Sequence, residues 1–158
     1  MDIFFEEHKK LLIELLEGGV EFMIIGGYAV NIHGYVRATH DMDIWLKPDN
    51  ENKLKLTSVL RKKGFDKDGI NFIEQQDFKE AFVFHIGEKP LAVDFLTKIS
   101  NVSYKEADEQ KVLLPLKNVF VPVIHLHHLV LSKFTTGRPQ DAADIDRLQR
   151  INQLKNKT

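Results

Sequence analysis

The sequence predicts an α+β fold (an α/β two-layer arrangement) in which a mixed β-sheet is flanked by helices and more helices follow at the C-terminus. Three observations support this prediction. Short β-branched runs such as Phe22–Ile25 have the length of buried strands. Amphipathic stretches with helical spacing, beginning with Ile3–Leu16, lie between such runs. Beyond about residue 125 the pattern is helical only.

Length and composition limit the class of protein. With 158 residues, 43% of them hydrophobic and 28% charged, the chain has the size of one globular domain. We expect a single domain over residues 1–158, with a core at about 20–124 and a helical segment at about 125–154. The absence of cysteine excludes disulfides and thiolate metal sites. No signal peptide or apolar run of membrane-spanning length is visible, so we expect a cytoplasmic protein without membrane contact.

The charge balance gives no general preference for nucleic acid, because the formal net charge is −1. A local basic patch would still suffice for RNA binding. The C-terminal end is basic, but a solvated helix face with a frayed tail is the more ordinary explanation. Its basic residues are Arg147, Arg150, Lys155 and Lys157.

The central stretch, residues 22–47, carries the first candidate site. Gly26 and Gly27 directly follow the predicted strand Phe22–Ile25, and the residues after them have helical character. Glycines at a strand-to-helix junction let backbone N–H groups approach a ligand closely, and a helix N-terminus attracts anions. The junction therefore predicts a phosphate-binding site.

Two carboxylates follow on the next predicted strand, residues 41–47. Strand alternation places Asp41 and Asp43 on one face together with Trp45, and apolar side chains on the other face. Neighbouring carboxylates on an apolar strand repel each other and are costly to desolvate, and a divalent cation such as Mg²⁺ relieves both effects. A phosphate site followed by Asp-x-Asp points to phosphoryl chemistry on a nucleotide.

In this sequence Gly26-Gly27 is followed by a spacer of thirteen residues and then by Asp41-Met42-Asp43-Ile44. This order of motifs resembles the signature of the polymerase-β-like nucleotidyltransferase superfamily. The surrounding Gly-Tyr-Ala-Val and Arg37-x-Thr39-x-Asp41 resemble a small bacterial branch that includes the abortive-infection (AbiE-type) toxins. The resemblance implies the nucleotidyltransferase fold, ATP or another NTP as substrate, and two Mg²⁺ or Mn²⁺ ions. It also implies a set of nucleotide-binding residues in this stretch, namely Gly26, Gly27, Tyr28 and Thr39.

Three further strands are expected between residues 70 and 98. A weak strand is predicted at 71–75, and stronger strands at 81–86 and 91–96 are joined by a hairpin turn at 87–90. The last strand contains Asp94, which needs a partner if it is buried. The resemblance implies that Asp94 is the third metal ligand; an edge-strand aspartate facing solvent is the alternative. His85 is interpreted as a core or cleft histidine.

The remaining segments carry weaker signals. We expect a helix at 52–63 with Leu54 directed inward, a loop with a helical turn at 101–110, and strands at 112–116 and 118–123. His125, His127 and His128 lack the spacing of a tetrahedral zinc site and are interpreted as capping or partly exposed groups at a helix start.

The C-terminal helices carry a second group of charged residues. Lys133, Arg138, Asp141 and Asp144 resemble the Lys…Arg-x-x-Asp-x-x-Asp pattern of the abortive-infection branch, in which the lysine and the first aspartate are functional-site residues. A lysine facing a triphosphate would neutralise charge on the phosphates. Asp141 either orients Lys133 or the acceptor, or forms a salt bridge with Arg138, and the sequence leaves these alternatives open.

The resulting hypothesis is metal-dependent transfer of a nucleoside monophosphate from an NTP to an acceptor hydroxyl. The acceptor is predicted to be a tRNA or a protein, as in a toxin–antitoxin or abortive-infection toxin. The catalytic residues would be Asp41, Asp43, Asp94 and Lys133, with the three aspartates as metal ligands and with Lys133 and Asp141 also in the nucleotide site. The alternatives are a small-molecule (aminoglycoside-type) transferase and a catalytically idle nucleotide-binding protein that needs a partner, such as an antitoxin or a helical subunit. P-loop and Rossmann glycine motifs are absent from the sequence.

Overall fold

A six-stranded mixed sheet organises the fold. The computed structural model describes residues 3–157. The strands are β1 Phe22–Ile25, β2 Asp41–Leu46, β3 Val83–Ile86, β4 Ala92–Leu96, β5 Val112–Leu116 and β6 Val119–Val123. Their order across the sheet is β3-β4-β2-β1-β6-β5, with parallel β2–β4 and β1–β6 pairs and antiparallel pairing elsewhere. The predicted mixed sheet is therefore confirmed.

Helices fill the connections and the C-terminal part of the chain. They are α1 Glu6–Glu17, α2 Gly26–Ile32, α3 Asn50–Lys62, α4 Lys67–Glu74, α5 Tyr104–Gln110, α6 Leu126–Lys133 and α7 Pro139–Asn156. This arrangement confirms the predicted α+β class. Within the part of the chain that the structure describes, no helix combines the length and the apolar character needed to cross a bilayer.

The core surrounds the two central strands. Every residue of β1 is buried, and Trp45 of β2 is 1% exposed. The Trp45 ring packs edge-on against Tyr104 of α5, and its indole N–H donates to the carbonyl oxygen of Thr97 at 3.0 Å. A large aromatic side chain buried in this way contributes both apolar area and a satisfied polar group. It anchors the strand that carries Asp41 and Asp43.

One element was predicted wrongly: the expected strand at 71–75 lies within helix α4. The Asp66 side chain accepts a hydrogen bond from the Gly69 N–H at 3.0 Å and so caps the helix start. Ile70 and Ile73 are the buried residues of this helix, and their spacing of three is helical. A strand would have placed these two isoleucines on opposite faces.

Two smaller predictions also need correction. Leu54 was expected to point inward, but it is 58% exposed. The helix starts earlier than expected because Asp49 caps it by accepting from the Asn52 N–H at 2.7 Å, and its buried face contains Leu56 and Leu60 instead. The segment 101–110 is not mainly a loop, since Ser103 caps the regular helix α5.

The predicted hairpin between β3 and β4 and the predicted capping by histidine are both confirmed. β3 pairs antiparallel with β4. The His125 side chain accepts a hydrogen bond from the His127 N–H at 3.0 Å at the start of α6, and His127 is exposed. His128 was predicted to be capping or partly exposed, but it is buried at 6% exposure.

Candidate active site

The three predicted aspartates lie together on one face of the sheet. Asp43 of β2 is the register partner of Asp94 in the parallel neighbour β4. Asp94 is in turn the register partner of the exposed His85 on β3. Because register partners and residues two apart in a strand share a face, Asp41, Asp43, Asp94 and His85 form one polar surface. His85 is therefore a cleft residue rather than a core residue.

Burial and like charge perturb two of these carboxyl groups. Burial raises the pKa of Asp43 from 3.8 to about 7, and repulsion from Asp94 and Asp41 adds to the increase. Burial also raises the pKa of Asp94, with a further increase from Asp41, while His85 and a hydrogen bond with Asp43 oppose the change. The face thus carries negative charge that is unfavourable without a cation, which is typical of functional sites.

The glycine pair brings the start of α2 directly against Asp43. Gly26 has a φ of +65°, and a Cβ atom on it would lie 2.1 Å from Asp43 Oδ2. A Cβ atom on Gly27 would lie 2.5 Å from Thr39 Oγ1. Both positions therefore exclude any side chain unless a neighbour moves. The close approach places the first backbone N–H groups of α2 beside the carboxylates.

The two other predicted nucleotide-binding residues of this stretch have different surroundings. Thr39 lies against Gly27, and its hydroxyl donates to the carbonyl oxygen of Asp41 at 3.3 Å. Tyr28 is 3% exposed, with its ring stacked on Phe4 at 5.6 Å and its hydroxyl 3.4 Å from His8 Nδ1. The predicted nucleotide contact of Tyr28 is not supported for its side chain, because that side chain lies in the core.

A cavity of about 260 Å³ lies beside Gly26 and Asp43. Apolar side chains of β1, β4 and α6 form part of its lining, and cationic side chains form another part. Its polar lining includes Asp43, Lys98, Lys133, Arg138 and Asp141. The structure thus brings the C-terminal charged residues to the same site as the glycine pair and the Asp-x-Asp strand.

Lys133 is already paired with two carboxylates. Its ammonium nitrogen lies 2.8 Å from Asp141 Oδ1 and 3.1 Å from Asp144 Oδ2, and the side chain is only 8% exposed. Asp141 also accepts from the Thr136 hydroxyl at 2.7 Å and pairs with Arg138 Nε at 2.9 Å. The two arrangements predicted for Asp141, orientation of Lys133 and pairing with Arg138, therefore occur together.

The contact between Arg37 and Asp144 was not predicted from the sequence. Arg37 binds Asp144 in a bidentate manner, with Nε–Oδ1 and Nη2–Oδ2 distances of 2.8 Å, and Asp144 is fully buried. Burial raises the pKa of Asp144, but the hydrogen bonds from Arg37 and Lys133 outweigh it and the pKa is lowered. The contact joins the loop before β2 to helix α7. Both residues belong to recognisable sequence motifs, but nothing in the sequence pairs them.

The donor set fits a hard divalent cation. Among the side chains of residues 3–157, no group of three or more His, Asp or Glu is arranged to hold a metal ion alone. Mg²⁺ does not require such a group, since it is commonly bound by one or two carboxylates together with substrate phosphate oxygens. Asp43 and Asp94 supply carboxylate oxygens next to the cavity, and a cation there would relieve the repulsion that raises their pKa values.

Comparison with known families classifies the chain as a whole. The pattern of the family described as "Nucleotidyl transferase of unknown function (DUF2204)" matches residues 4–158. The chain belongs to this family. It is a nucleotidyltransferase, as the glycine pair and the Asp-x-Asp strand predict. No curated protein sequence is significantly similar to it.

One solved structure supports the fold of this nucleotidyltransferase. A lincosamide antibiotic adenylyltransferase, LnuA, in its lincomycin-bound form, matches with a TM-score of 0.54 and 16% sequence identity. The match covers 93% of this chain and 98% of the adenylyltransferase chain. An antigenic nucleotidyltransferase-like protein from Paracoccidioides brasiliensis matches with a TM-score of 0.49 and 15% identity, over 92% of this chain and 73% of that one.

Proposed function

We propose that this nucleotidyltransferase moves a nucleoside monophosphate from an NTP to an acceptor hydroxyl, with Mg²⁺ or Mn²⁺ held at Asp41, Asp43 and Asp94. The position of Asp43 carries the proposal. It is the register partner of Asp94, it touches the Gly26 junction, and it lines the cavity that Lys133 also lines. A cation held by a carboxylate in this position could also bind a nucleotide phosphate.

The chain's own groups account for binding and proton transfer. Two Mg²⁺ ions would neutralise triphosphate charge and acidify the acceptor hydroxyl. Asp94, the register partner of Asp43 on the neighbouring strand, would bind the second ion and receive the proton of that hydroxyl. The first N–H groups of α2, at Gly26 and Gly27, follow an isoleucine that has no side-chain acceptor to cap them. We assign them to phosphate oxygens.

The reaction is an in-line displacement at the α-phosphorus. The acceptor oxygen forms a bond to this phosphorus while the bond to the bridging oxygen of pyrophosphate breaks. Lys133 has one N–H left after its contacts with Asp141 and Asp144, and we assign that N–H to a phosphate oxygen. Asp141 would then hold Lys133 in place. Positioning and electrostatics account for most of the rate enhancement in such sites.

Two classes of acceptor are supported by different observations. The abortive-infection resemblance of the motifs at residues 26–43 and 133–144 favours a tRNA or a protein, and with it the role of a toxin. The lincosamide antibiotic adenylyltransferase favours a small molecule, because the match covers 98% of a chain that was solved with lincomycin bound.

Label transfer tests the reaction and separates the acceptor classes. Each of the four NTPs, labelled at the α-phosphate, is incubated with the protein, Mg²⁺ and a host lysate, and RNA, protein and small molecules are then separated. We expect label in one fraction for the wild type and none for Asp43→Asn. The matched control is Asp68→Asn, an exposed aspartate of α4 outside the cavity, which should transfer normally.

Full turnover by Asp43→Asn would refute the proposed role of this carboxylate. Nucleotide binding by the wild type without transfer to any fraction would instead favour an idle binding protein, or one that is active only with an antitoxin or another partner subunit. Adding a co-purified partner to the same assay separates these two outcomes.

A further inference from the structure

Most of the cationic charge near the cavity is already balanced. Lys133 and Arg37 contact Asp141 and Asp144 at distances of 2.8–3.1 Å. This buried ion cluster, made of these four residues, contains two positive and two negative charges. An NTP brings about four negative charges, and a cluster without net charge attracts them weakly. Any protein cation that assists Mg²⁺ at the outer phosphates must therefore come from outside this cluster.

Lys98 is an uncommitted cation at the cavity. It is exposed and lines the cavity beside Ser100 and Leu96. Within residues 3–157, no hydrogen bond or ion pair of its ammonium group is present. A lysine in a cleft without a counter-charge is available for an anionic ligand.

Arg138 is a second cation at the same cavity. Its side chain is 74% exposed, and it uses Nε to contact Asp141 at 2.9 Å. No hydrogen bond from its two terminal nitrogens to residues 3–157 is present. These atoms are the ends of a planar fork that matches phosphate oxygens in a bidentate manner. The contact with Asp141 holds this side chain at the cavity.

The backbone next to Lys98 is held firmly. The Thr97 hydroxyl accepts from the Phe82 N–H at 2.8 Å and donates to the Glu80 carbonyl at 2.7 Å. On the other side, Asn101 Nδ2 donates to the Leu131 carbonyl at 3.0 Å and to the Thr135 hydroxyl at 3.1 Å. The Thr97 bonds tie residue 97 to the segment before β3, and the Asn101 bonds tie residue 101 to α6, so the backbone on both sides of Lys98 is fixed.

We propose that Lys98 and Arg138 bind the β- and γ-phosphates of the NTP, the part that leaves as pyrophosphate. This inference rests on the proposed function of the same site. Both side chains supply only donors, which fits phosphate oxygens, and both lie on the cavity that contains the Gly26 junction and Asp43. Lys133 then serves mainly within the buried ion cluster, while the excess positive charge comes from Lys98 and Arg138.

Binding measurements on four variants test the inference. Affinities for inorganic tripolyphosphate, for each of the four NTPs and for the corresponding nucleoside monophosphates are measured by calorimetry in the presence of Mg²⁺. The test variants are Lys98→Ala and Arg138→Ala. The controls are Lys105→Ala, an exposed lysine outside the cavity, and Arg150→Ala, an exposed arginine of α7 that also has a helical ion pair. Thermal unfolding verifies that all variants are folded.

We expect each test variant to weaken tripolyphosphate and NTP binding about tenfold, the typical effect of one charge-assisted hydrogen bond to phosphate. Monophosphate binding should change less than twofold, and the controls should bind like the wild type. Unchanged tripolyphosphate affinity in both test variants, with a wild type that binds and transfers normally, overturns the inference alone. If a test variant loses label transfer to RNA but keeps its NTP affinity, the inference is also overturned, because Lys98 or Arg138 would then bind the acceptor RNA. A wild type that binds neither NTP nor tripolyphosphate refutes the proposed function as well.

Discussion

Asp43 combines the properties expected of a metal-binding carboxylate in a single residue. It faces Asp94 across the parallel strand pair, and the Gly26 backbone presses against it. Its pKa of about 7 means that roughly half of these carboxyl groups are protonated at neutral pH when no cation is bound. A bound cation would favour the ionised form, so cation binding at this site should release protons.

The raised pKa of Asp43 predicts how the metal-free protein responds to pH. The folded state holds this proton more tightly than the unfolded state does. The resulting stabilisation is fully present below pH 3.8 and is lost as pH rises to about 7. Asp43→Asn should therefore be more stable than the wild type at pH 8, by up to about 4 kcal/mol. Urea unfolding in EDTA between pH 5 and about pH 8 measures this.

The same series has two internal controls. Asp68→Asn changes an exposed carboxylate and should leave the pH profile unchanged. Addition of Mg²⁺ at pH 8 should stabilise the wild type and not Asp43→Asn. A wild type whose stability increases from pH 5 to about 7 relative to Asp43→Asn would contradict the assigned burial of this carboxyl group.

Loss of the buried Asp144 carboxylate should destabilise the fold. It is 0% exposed and accepts hydrogen bonds or ion pairs from Arg37, Lys133 and Gln140. Asp144→Ala would leave the buried Lys133 and the half-buried Arg37 with only Asp141 as a counter-charge, and we expect it to cost about 3–5 kcal/mol of unfolding free energy. The control is Asp146→Ala, whose ion pair with Arg150 is exposed and should contribute less than about 1 kcal/mol. Denaturant unfolding of both variants measures the difference; equal losses would contradict the proposed importance of burial.

A glycine substitution tests the role of the strand-to-helix junction between β1 and α2. Gly26→Ala places a methyl group 2.1 Å from Asp43 Oδ2 at a φ of +65°. We expect it to displace the carboxylate and to lower kcat by at least about tenfold, since small errors of position in such sites are costly. Gly64→Ala has a similar φ of +82° but no atom within 4 Å.

Gly64→Ala therefore carries the same backbone penalty, about 1–2 kcal/mol, without a collision. It should lose stability and keep its kcat. Label transfer and thermal unfolding, measured on both variants, separate the two effects. If both variants lost activity in parallel, the loss would reflect stability alone and the junction would have no special role.

The strands that position the site were predictable because each is specified by the residues within the strand itself. β1, β2 and β4 are short apolar runs, and the alternation of β2 gave the face of Asp41 and Asp43 correctly. The wrong strand at 71–75 shows the limit of short windows. The Asp66 cap and the Ile70–Ile73 spacing specify a helix, but both signals include residues outside the window 71–75. The five residues of that window, taken alone, do not distinguish a helix from a strand.

The contacts between distant segments could not be predicted in the same way. The carboxylates come from neighbouring strands with strong motifs, whereas Lys98 follows β4 in a segment without a motif and Arg37 lies in a loop. Their roles depend on which cations are paired in the folded state. Sequence alone assigned phosphate binding to Lys133, and only the distances to Asp141 and Asp144 show that this lysine is mostly occupied.

The position of β6 next to β1 has a consequence for biosynthesis. Ile24 is the register partner of Val123, and the His33 ring bonds the Ile124 carbonyl at 2.7 Å, so the middle of the sheet is completed by residues made late. Contacts that span so much of the chain form slowly. A partly synthesised chain on the ribosome has the carboxylates but neither Lys133 nor Arg138, and Arg37 has no Asp144 to bind. Catalytic competence should therefore appear only when α7 has left the ribosomal tunnel.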